Sequence, residues 1–288
     1  MNRFGFVILH YQTERETIEC IESIRKISNS MQYEIIVVDN GSSNHSGENI
    51  QKKYLGIKNF NIIFSKENIG FARGNNLGIT YAKNILKCNF IILLNNDTKI
   101  LQKNFLDLIN REYEKSLCAV IGPCILKDGT VTNDNPRRTA PLGKSRLYLF
   151  ILINRLLLFL NYLRLDILPN SLFSFYIKWK KKKLASDSHK RQENVSLHGC
   201  CLIFTPMFLS KEQGLNPETF MYMEEDILYE KMYRLKMKTV YLPDLKIEHK
   251  DAIATNGLYK KSYKKRRFIY KNTLYSANIL RKQMKTEI

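Results

Sequence analysis

The sequence predicts an α/β fold, a mostly parallel central sheet covered by helices on both faces, and three observations predict it. Apolar runs of strand length recur through the first 125 residues: FGFVIL (4–9), YEIIVVD (33–39), FNIIFS (60–65) and FIILL (90–94). Segments between them carry an apolar residue every three or four positions, the period of a helix with one buried face. The runs are apolar throughout rather than alternating, as expected of strands buried on both faces in a parallel sheet.

Taken in order, 4–9 opens the sheet. It has neither the long apolar region nor the small-residue cleavage site of a secretory leader, so no leader is expected. TERE (13–16) reads as a capping box that starts a helix with the stripe Thr17, Cys20, Ile21, Ile24 and Ile27. The second strand ends in Asp39. A helix is expected after Gly74, and another over 103–115. LHGCCLIF (197–204) reads as a further strand. Helices are expected after the acids at 224–226, running to Leu235, and over 263–280 with Phe268, Leu274 and Leu280 inward.

Ligands of such sheets bind beyond the carboxyl ends of the strands. Three polar strings fall there: DNGSS (39–43), NIGFARGNN (68–76) and NND (95–97). Any one alone is an ordinary turn; their convergence on one edge marks a binding site. Asp97, at the end of an apolar strand, is placed as a hard oxygen ligand for Mg²⁺ or Mn²⁺. FMYMEED (220–226) puts Glu224, Glu225 and Asp226 at the start of a helix, where the macrodipole favours negative charge. A carboxylate there can take a proton from an attacking hydroxyl.

Four strings, IIVVDNGS (35–42), NIGFARGNNLG (68–78), LLNND (93–97) and FMYMEE (220–225), carry a family resemblance. In this order they resemble the inverting glycosyltransferase family 2, of the GT-A fold. The similarity is greatest to the branch with bacterial rhamnosyltransferases and related polysaccharide-assembly enzymes, and it covers most of the chain outside 137–191. The resemblance implies transfer of a sugar from a nucleoside-diphosphate donor, dTDP-rhamnose or a UDP-hexose. The implied acceptor is a saccharide or lipid-linked saccharide, and the implied cofactor Mg²⁺ or Mn²⁺.

It also implies roles for residues. Asp39 would hydrogen-bond the nucleobase, flanked by the backbone at His10 and Tyr11. Asn68, Gly70, Phe71, Arg73, Asn75 and Asn76 would line the nucleotide side, with Arg73 near phosphate, and Asn95 and Asn96 would complete the donor site. Asp97 would bind the metal, with His249 approaching metal or diphosphate. Gly199, Cys200 and Tyr222 would face the acceptor, and Glu225 would be the base. The sequence departs from the family's pattern twice. Asn95 replaces the first acid of its D-x-D motif, which implies metal binding that depends on the donor. Ile227 stands where many relatives carry another acid, which leaves Glu224 and Asp226 as alternative bases.

The net charge of +19 is uneven. Residues 137–191 hold 13 Lys/Arg against 2 Asp/Glu, and 250–288 hold 11 against 2, so the rest is nearly neutral. This divides the chain into a nucleotide-sugar half (1–136), a basic apolar insertion (137–191), an acceptor and catalytic-base half (192–249) and a basic helical tail (250–288). Leu147–Leu160 is apolar but interrupted by Asn154 and Arg155, which reads as too short and charged to span a membrane. With Phe173–Ile177, Trp179 and Lys180–Lys183 it suits an element lying in an anionic lipid interface. The expected location is cytoplasmic, peripheral on the inner face of the plasma membrane. Nucleic acid is not an expected partner, since no recognisable module accompanies the basic runs. Six cysteines without a C-x-x-C pair read as reduced, partly buried thiols.

Two other classes remain open. A nucleotidyltransferase normally needs a glycine-rich phosphate loop after its first strand, and HYQT (10–13) has no glycine. A non-catalytic membrane scaffold has no need to keep both Asp97 and the acid cluster.

Overall fold

The computed structural model describes residues 2–27, 31–127, 129–132, 134–166, 189–250 and 263–285. The strands are β1 (Arg3–His10), β2 (Gln32–Asp39), β3 (Phe60–Phe64), β4 (Phe90–Asn95), β5 (Thr98–Ile100), β6 (Val120–Lys127), β7 (Thr130–Val131), β8 (Gln192–Glu193), β9 (Cys201–Phe204) and β10 (Thr239–His249). The helices are α1 (Glu14–Arg25), α2 (Ser46–Lys53), α3 (Phe71–Asn84), α4 (Phe105–Ser116), α5 (Lys144–Tyr162), α6 (Pro206–Lys211), α7 (Glu224–Arg234) and α8 (Tyr263–Gln283). All described strands join one sheet in the order β3-β2-β1-β4-β9-β6-β10-β5, with β7 beside β6 and β8 beside β10.

The half β3-β2-β1-β4 is parallel, and so is the β6–β10 pair. Between them β9 runs antiparallel to both β4 and β6, which makes the sheet mixed. Strand direction is not written in an apolar run. It follows from where the chain enters, and β9 enters from the edge where β4 ends, with Cys201 opposite Leu94. Only 201–204 of the expected strand 197–204 is extended, because Leu197–Cys200 forms the loop that brings the chain to that edge.

Alternation along β1 sorts the two faces. Phe4, Phe6 and Ile8 pack with α1, α2 and α4 residues in one core, while Val7 joins Ile36, Val38 and α3 residues in the other. Each fully buried side chain of this kind contributes about 1.5–3 kcal/mol relative to leaving it exposed. Helix α3 begins at Phe71, before the expected Gly74, and lies close on the sheet. A Cβ at Gly74 would sit 2.5 Å from Leu9 Cδ1, and one at Gly78 2.4 Å from Val7 Cγ1. These two helical glycines set the depth at which α3 packs. The α1 stripe is buried as expected, Ile27 included.

A third core joins α5, α7 and α8: Leu147 and Ile151 meet Met223, Ile227, Leu274, Ala277 and Leu280. Phe268 of α8 is half-buried and reaches the loop before α7 instead of this core. Helix α5 has 19 residues and is long and apolar enough to cross a membrane. This corrects the expectation that the segment is too short, since the helix extends beyond the apolar run at both ends. Its buried face nevertheless packs on the protein, with Leu147, Ile151, Asn154, Leu157 and Asn161 covered. The expected features at Phe173–Ile177, Trp179 and Lys180–Lys183 lie outside the described residues.

Candidate active site

The ends of β1, β2 and β4, the start of β9 and the end of β10 share one edge of the sheet. Register places His10 opposite Asp39, Leu9 opposite Asn95, Leu94 opposite Cys201, and His249 opposite Thr98. The polar residues that follow these strands are therefore brought together by pairing alone.

On the β2 side, Asp39 is almost fully buried, and its Oδ1 accepts the Ser42 amide at 3.0 Å. Asn40, part of the DNGSS string but assigned no role from the sequence, fastens the 68–70 loop. Its Nδ2 donates to Asn68 Oδ1 (3.1 Å) and the Gly70 carbonyl (3.3 Å), and its Oδ1 accepts the Ile69 amide (3.0 Å). Asn68 Oδ1 in turn accepts the Gly70 amide at 3.0 Å. Gly70 has φ +88°, and an added Cβ would meet the Phe220 carbonyl oxygen at 2.5 Å, so this corner requires glycine. The Phe71 amide donates to that same carbonyl at 2.7 Å, which ties the nucleotide loop to the segment before α7.

Several expected donor residues face protein atoms. Arg73 Nε donates to the Pro217 carbonyl (2.8 Å), Asn75 Nδ2 to the Phe71 carbonyl (2.9 Å), and Asn76 binds both backbone groups of Leu215. Asn96 Nδ2 donates to Thr13 Oγ1 (2.5 Å) and Thr17 Oγ1 (2.9 Å). Thr13 thus receives a site residue instead of capping α1, where no side-chain cap forms. The His10 side chain is fully buried, with its ring nitrogens 2.7 Å from Thr17 Oγ1 and Ser46 Oγ. Burial pushes its pKa down, which keeps the imidazole neutral. Tyr11, next to it, is half-buried at the edge. Asn95 is half-buried, and its amide donates to the Cys200 carbonyl at 2.9 Å.

Asp97 and His249 come together, with His249 Nε2 3.2 Å from Asp97 Oδ1. The ring of His198 stacks edge-on against His249 at 5.9 Å. His198 was missed in the sequence, although it directly precedes Gly199 in the apolar string. Among the described residues, no group of three or more His, Cys, Asp or Glu side chains is placed to hold a metal ion. A hard carboxylate beside an imidazole suits Mg²⁺ or Mn²⁺ only when further oxygens arrive from a ligand.

Beyond Gly199 stands the acid cluster. A Cβ at Gly199 would lie 3.6 Å from Glu225 Oε2, and neither Glu224 nor Asp226 comes within 4 Å of that position. Glu225 Oε1 is ion-paired with Arg137, and Asp226 with Arg138. Tyr222 and Met223 enter α7 with φ of 74° and 67°, a left-handed conformation that non-glycine residues rarely adopt. The turn is clamped by α8: Phe268 packs edge-on against Phe220 and Tyr222, and Ser276 Oγ donates to the Met221 carbonyl at 3.3 Å.

Glu224 is turned inward. Its Oε1 is buried without a hydrogen-bond partner, and burial pushes its pKa up to about 7 from an ordinary 4.5, although Thr219 and the Tyr222 and Glu224 amides oppose this. A raised acid keeps its proton in the folded chain after the unfolded chain has released it. Stability from this group is therefore complete below about 4.5 and declines as pH rises to about 7. Glu224→Gln is expected to stabilise the chain by on the order of 1–2 kcal/mol at pH 8 and little at pH 4. Melting curves at the two pH values check this, and equal shifts at both would remove burial of charge as the cause.

Similar proteins give the family and the fold. The family model described as "Glycosyl transferase family 2" matches residues 6–179. This chain belongs to that family. The "Low-salt glycan biosynthesis hexosyltransferase Agl10" of Haloferax volcanii is 22% identical over 99% of this chain and 81% of its own length. "Glycosyltransferase GlyG" of Streptococcus pneumoniae is 28% identical over 40% of this chain and 37% of its own. Among solved structures, S. aureus TarS residues 1–349 with UDP-GlcNAc matches at TM-score 0.55 and 16% identity, over 88% of this chain and 59% of that one. GalNAc-T7 with UDP, GalNAc and Mn²⁺ matches at TM-score 0.59 and 13% identity, over 92% and 49%. At these identities the structures establish the fold alone, the GT-A fold of nucleotide-sugar transferases. This chain spans about half to three-fifths of the length of those two.

Proposed function

We propose that this family 2 glycosyltransferase is an inverting enzyme moving a hexosyl unit from a nucleoside diphosphate to a saccharide, lipid-linked acceptor. The observation that carries the reading is the continuous line from Asp97 and His249 through His198 and Gly199 to Glu225, along the edge where Asp39 and the 68–70 loop converge. Asp97 and His249 would hold a divalent cation together with the donor's phosphate oxygens, and the cation would neutralise the departing diphosphate. Glu225 takes the proton of the acceptor hydroxyl as that oxygen bonds to the anomeric carbon. The bond from that carbon to the diphosphate breaks opposite, its electron pair leaves with the diphosphate, and configuration inverts. Positioning and charge neutralisation supply most of the rate. UDP sugars lead among donors, since TarS was solved with UDP and with UDP-GlcNAc and GalNAc-T7 with UDP, and dTDP-rhamnose remains a member of the panel. A panel of UDP and dTDP sugars with Mn²⁺, Mg²⁺ or chelator tests the reading. Metal-dependent release of nucleoside diphosphate is expected. Release of pyrophosphate would point to nucleotidyl transfer, and no turnover with any donor to a scaffold.

The acceptor reading includes an anionic membrane surface as partner, with the protein peripheral on the cytoplasmic face. Supporting it, Leu149, Leu152, Leu156, Phe159 and Leu163 are each more than half exposed along α5 and its end, at spacings of three and four. That spacing forms one apolar stripe opposite the face packed on α8. Lys144, Arg146, Arg155 and Arg164 are exposed beside it. At its end, Arg164, Arg267 and Lys271 lie over the Tyr162 and Tyr263 rings at 3.9–5.9 Å. Aromatic rings with cations at a helix end suit the headgroup layer. The chain is expected to float with phosphatidylcholine vesicles that contain phosphatidylglycerol, less so at high salt. Leu152→Glu with Leu156→Glu should abolish flotation without lowering the melting temperature. Unchanged flotation would sink the stripe as an anchor, and a dimer lost in the double variant would give it to a second copy.

A further inference from the structure

The base proposed above is not alone: Arg137 holds one of its two oxygens. Arg137 pairs with Glu225 Oε1, while Oε2 is the oxygen turned to Gly199 and the acceptor side. Its neighbour Arg138 pairs with Asp226, so consecutive arginines meet consecutive acids. The sequence assigns both arginines to the start of the basic apolar insertion. The structure gives them fixed backbone positions. Arg137 donates its amide to the Ser196 carbonyl at 2.8 Å, and the Ser196 amide returns to the Arg138 carbonyl at 2.7 Å. Asn135 ties the same stretch down twice, accepting the His198 amide (3.1 Å) and donating to the Pro123 carbonyl (2.8 Å). The arginine segment is thus pinned to the loop that carries His198 and Gly199.

We infer that Arg137 is the positioning residue of the catalytic base, and that this inference rests on the glycosyltransferase reading of Glu225. A guanidinium on one carboxylate oxygen does two things. It keeps the carboxylate ionised, since an adjacent positive charge favours the charged form. It also fixes the carboxylate plane, so that the second oxygen points to where a hydroxyl must arrive. During transfer the proton passes from the acceptor oxygen to Oε2 of Glu225, and Arg137 stays on Oε1 throughout. Arg138 acts differently: it neutralises a buried acid at the helix start and does not touch the reacting carboxylate.

Glu225 lines a small cavity with Val195, Leu197, Leu202, Leu228 and Tyr229. The ionisable groups next to it in the chain are Glu224 and Asp226, the latter paired with Arg138, with His198 beside Gly199. Among the described residues Arg137 alone is ion-paired with the carboxylate itself, so its removal should move Glu225 most.

The test titrates Glu225 by carboxyl carbon NMR in the full chain, assigned with Glu225→Gln, and compares Arg137→Gln, Arg137→Lys and Arg138→Gln. Arg137→Gln is expected to raise the Glu225 pKa by about one unit or more, and Arg137→Lys to restore most of it. Arg138→Gln should leave it within about a third of that shift. The acid limb of kcat for metal-dependent donor turnover should move with the titration, with KM for the donor little changed. A Glu225 pKa that stays put in Arg137→Gln, or moves as far in Arg138→Gln, overturns the inference. The titration reads out whether or not a donor is consumed. A shifted pKa without turnover would count against the glycosyltransferase reading alone, and an unshifted pKa with turnover against Arg137 alone.

Discussion

Glu225→Gln is expected to give a folded chain that binds nucleotide and transfers no sugar. Glutamine keeps the shape beside Gly199 but cannot accept a proton, and loss of a positioned general base typically lowers kcat by about 10²–10⁴-fold. Donor affinity should hold, because Glu225 sits beside Gly199 and is paired with Arg137, while Asp97 is paired with His249 and Asp39 binds the Ser42 amide. The lost ion pair with Arg137 is partly exposed, so stability should change by no more than about 1 kcal/mol. The measurement is kcat with the best donor of the panel, beside calorimetric binding of the nucleoside diphosphate. Near-normal kcat in this variant would move the base elsewhere. Loss of transfer in Glu224→Gln or Asp226→Asn with Glu225→Gln active would say where.

Why three adjacent acids differ is a matter of the turn before them. Tyr222 and Met223 hold left-handed backbone, and this sets the rotation at which α7 starts. One acid is thereby turned inward without a partner for Oε1, the second faces Gly199, and the third meets Arg138. The string MEED shows that acids open a helix, and the resemblance ranks them. Which one faces the acceptor depends on a backbone conformation that Tyr and Met do not advertise. Glycine at either position would have done so.

The same division runs through the fold. Strands β1, β2 and β4 were legible because both their faces are buried and the run is mostly apolar. Strand β3 was legible from its apolar residues alone, since at the end of the sheet they are only partly buried. The antiparallel entry of β9 was not, since direction depends on the path of the preceding chain. Thr13 read correctly as the approach to a helix, yet its hydroxyl goes to Asn96, a partner 83 residues away that outcompetes the local cap. Asn75 and Asn76 read as turn residues and lie inside α3, spending their amides on backbone carbonyls. Arg137 and Arg138 were counted into the basic apolar insertion because their partners are 88 residues downstream. Local periodicity thus carries the layers of the fold, while tertiary pairing decides which polar residues are left to meet a ligand.

Asp97→Ala is expected to remove metal dependence from both donor binding and turnover. With Asn95 at the end of β4, Asp97 is the carboxylate that follows that strand, and the His249 imidazole lies 3.2 Å from it. A cation held by one carboxylate and one imidazole depends on the donor's phosphates for its remaining coordination, so protein and donor should bind it together or weakly apart. Without the carboxylate the diphosphate's negative charge is poorly compensated as it leaves. Loss of one such electrostatic contact costs about 10²–10³ in kcat at other active sites, and at least that is expected here. The fold should persist, because the bond from the Lys250 amide to residue 97 uses the main-chain carbonyl. Calorimetry of UDP binding with Mn²⁺ and with chelator provides the decisive comparison. In the native chain Mn²⁺ should tighten UDP, in Asp97→Ala the two titrations should coincide, and His249→Ala should fall between them. If Mn²⁺ still tightened UDP in Asp97→Ala, the cation would have to be held by other groups on the edge, and the pairing of Asp97 with His249 would be a structural ion pair alone.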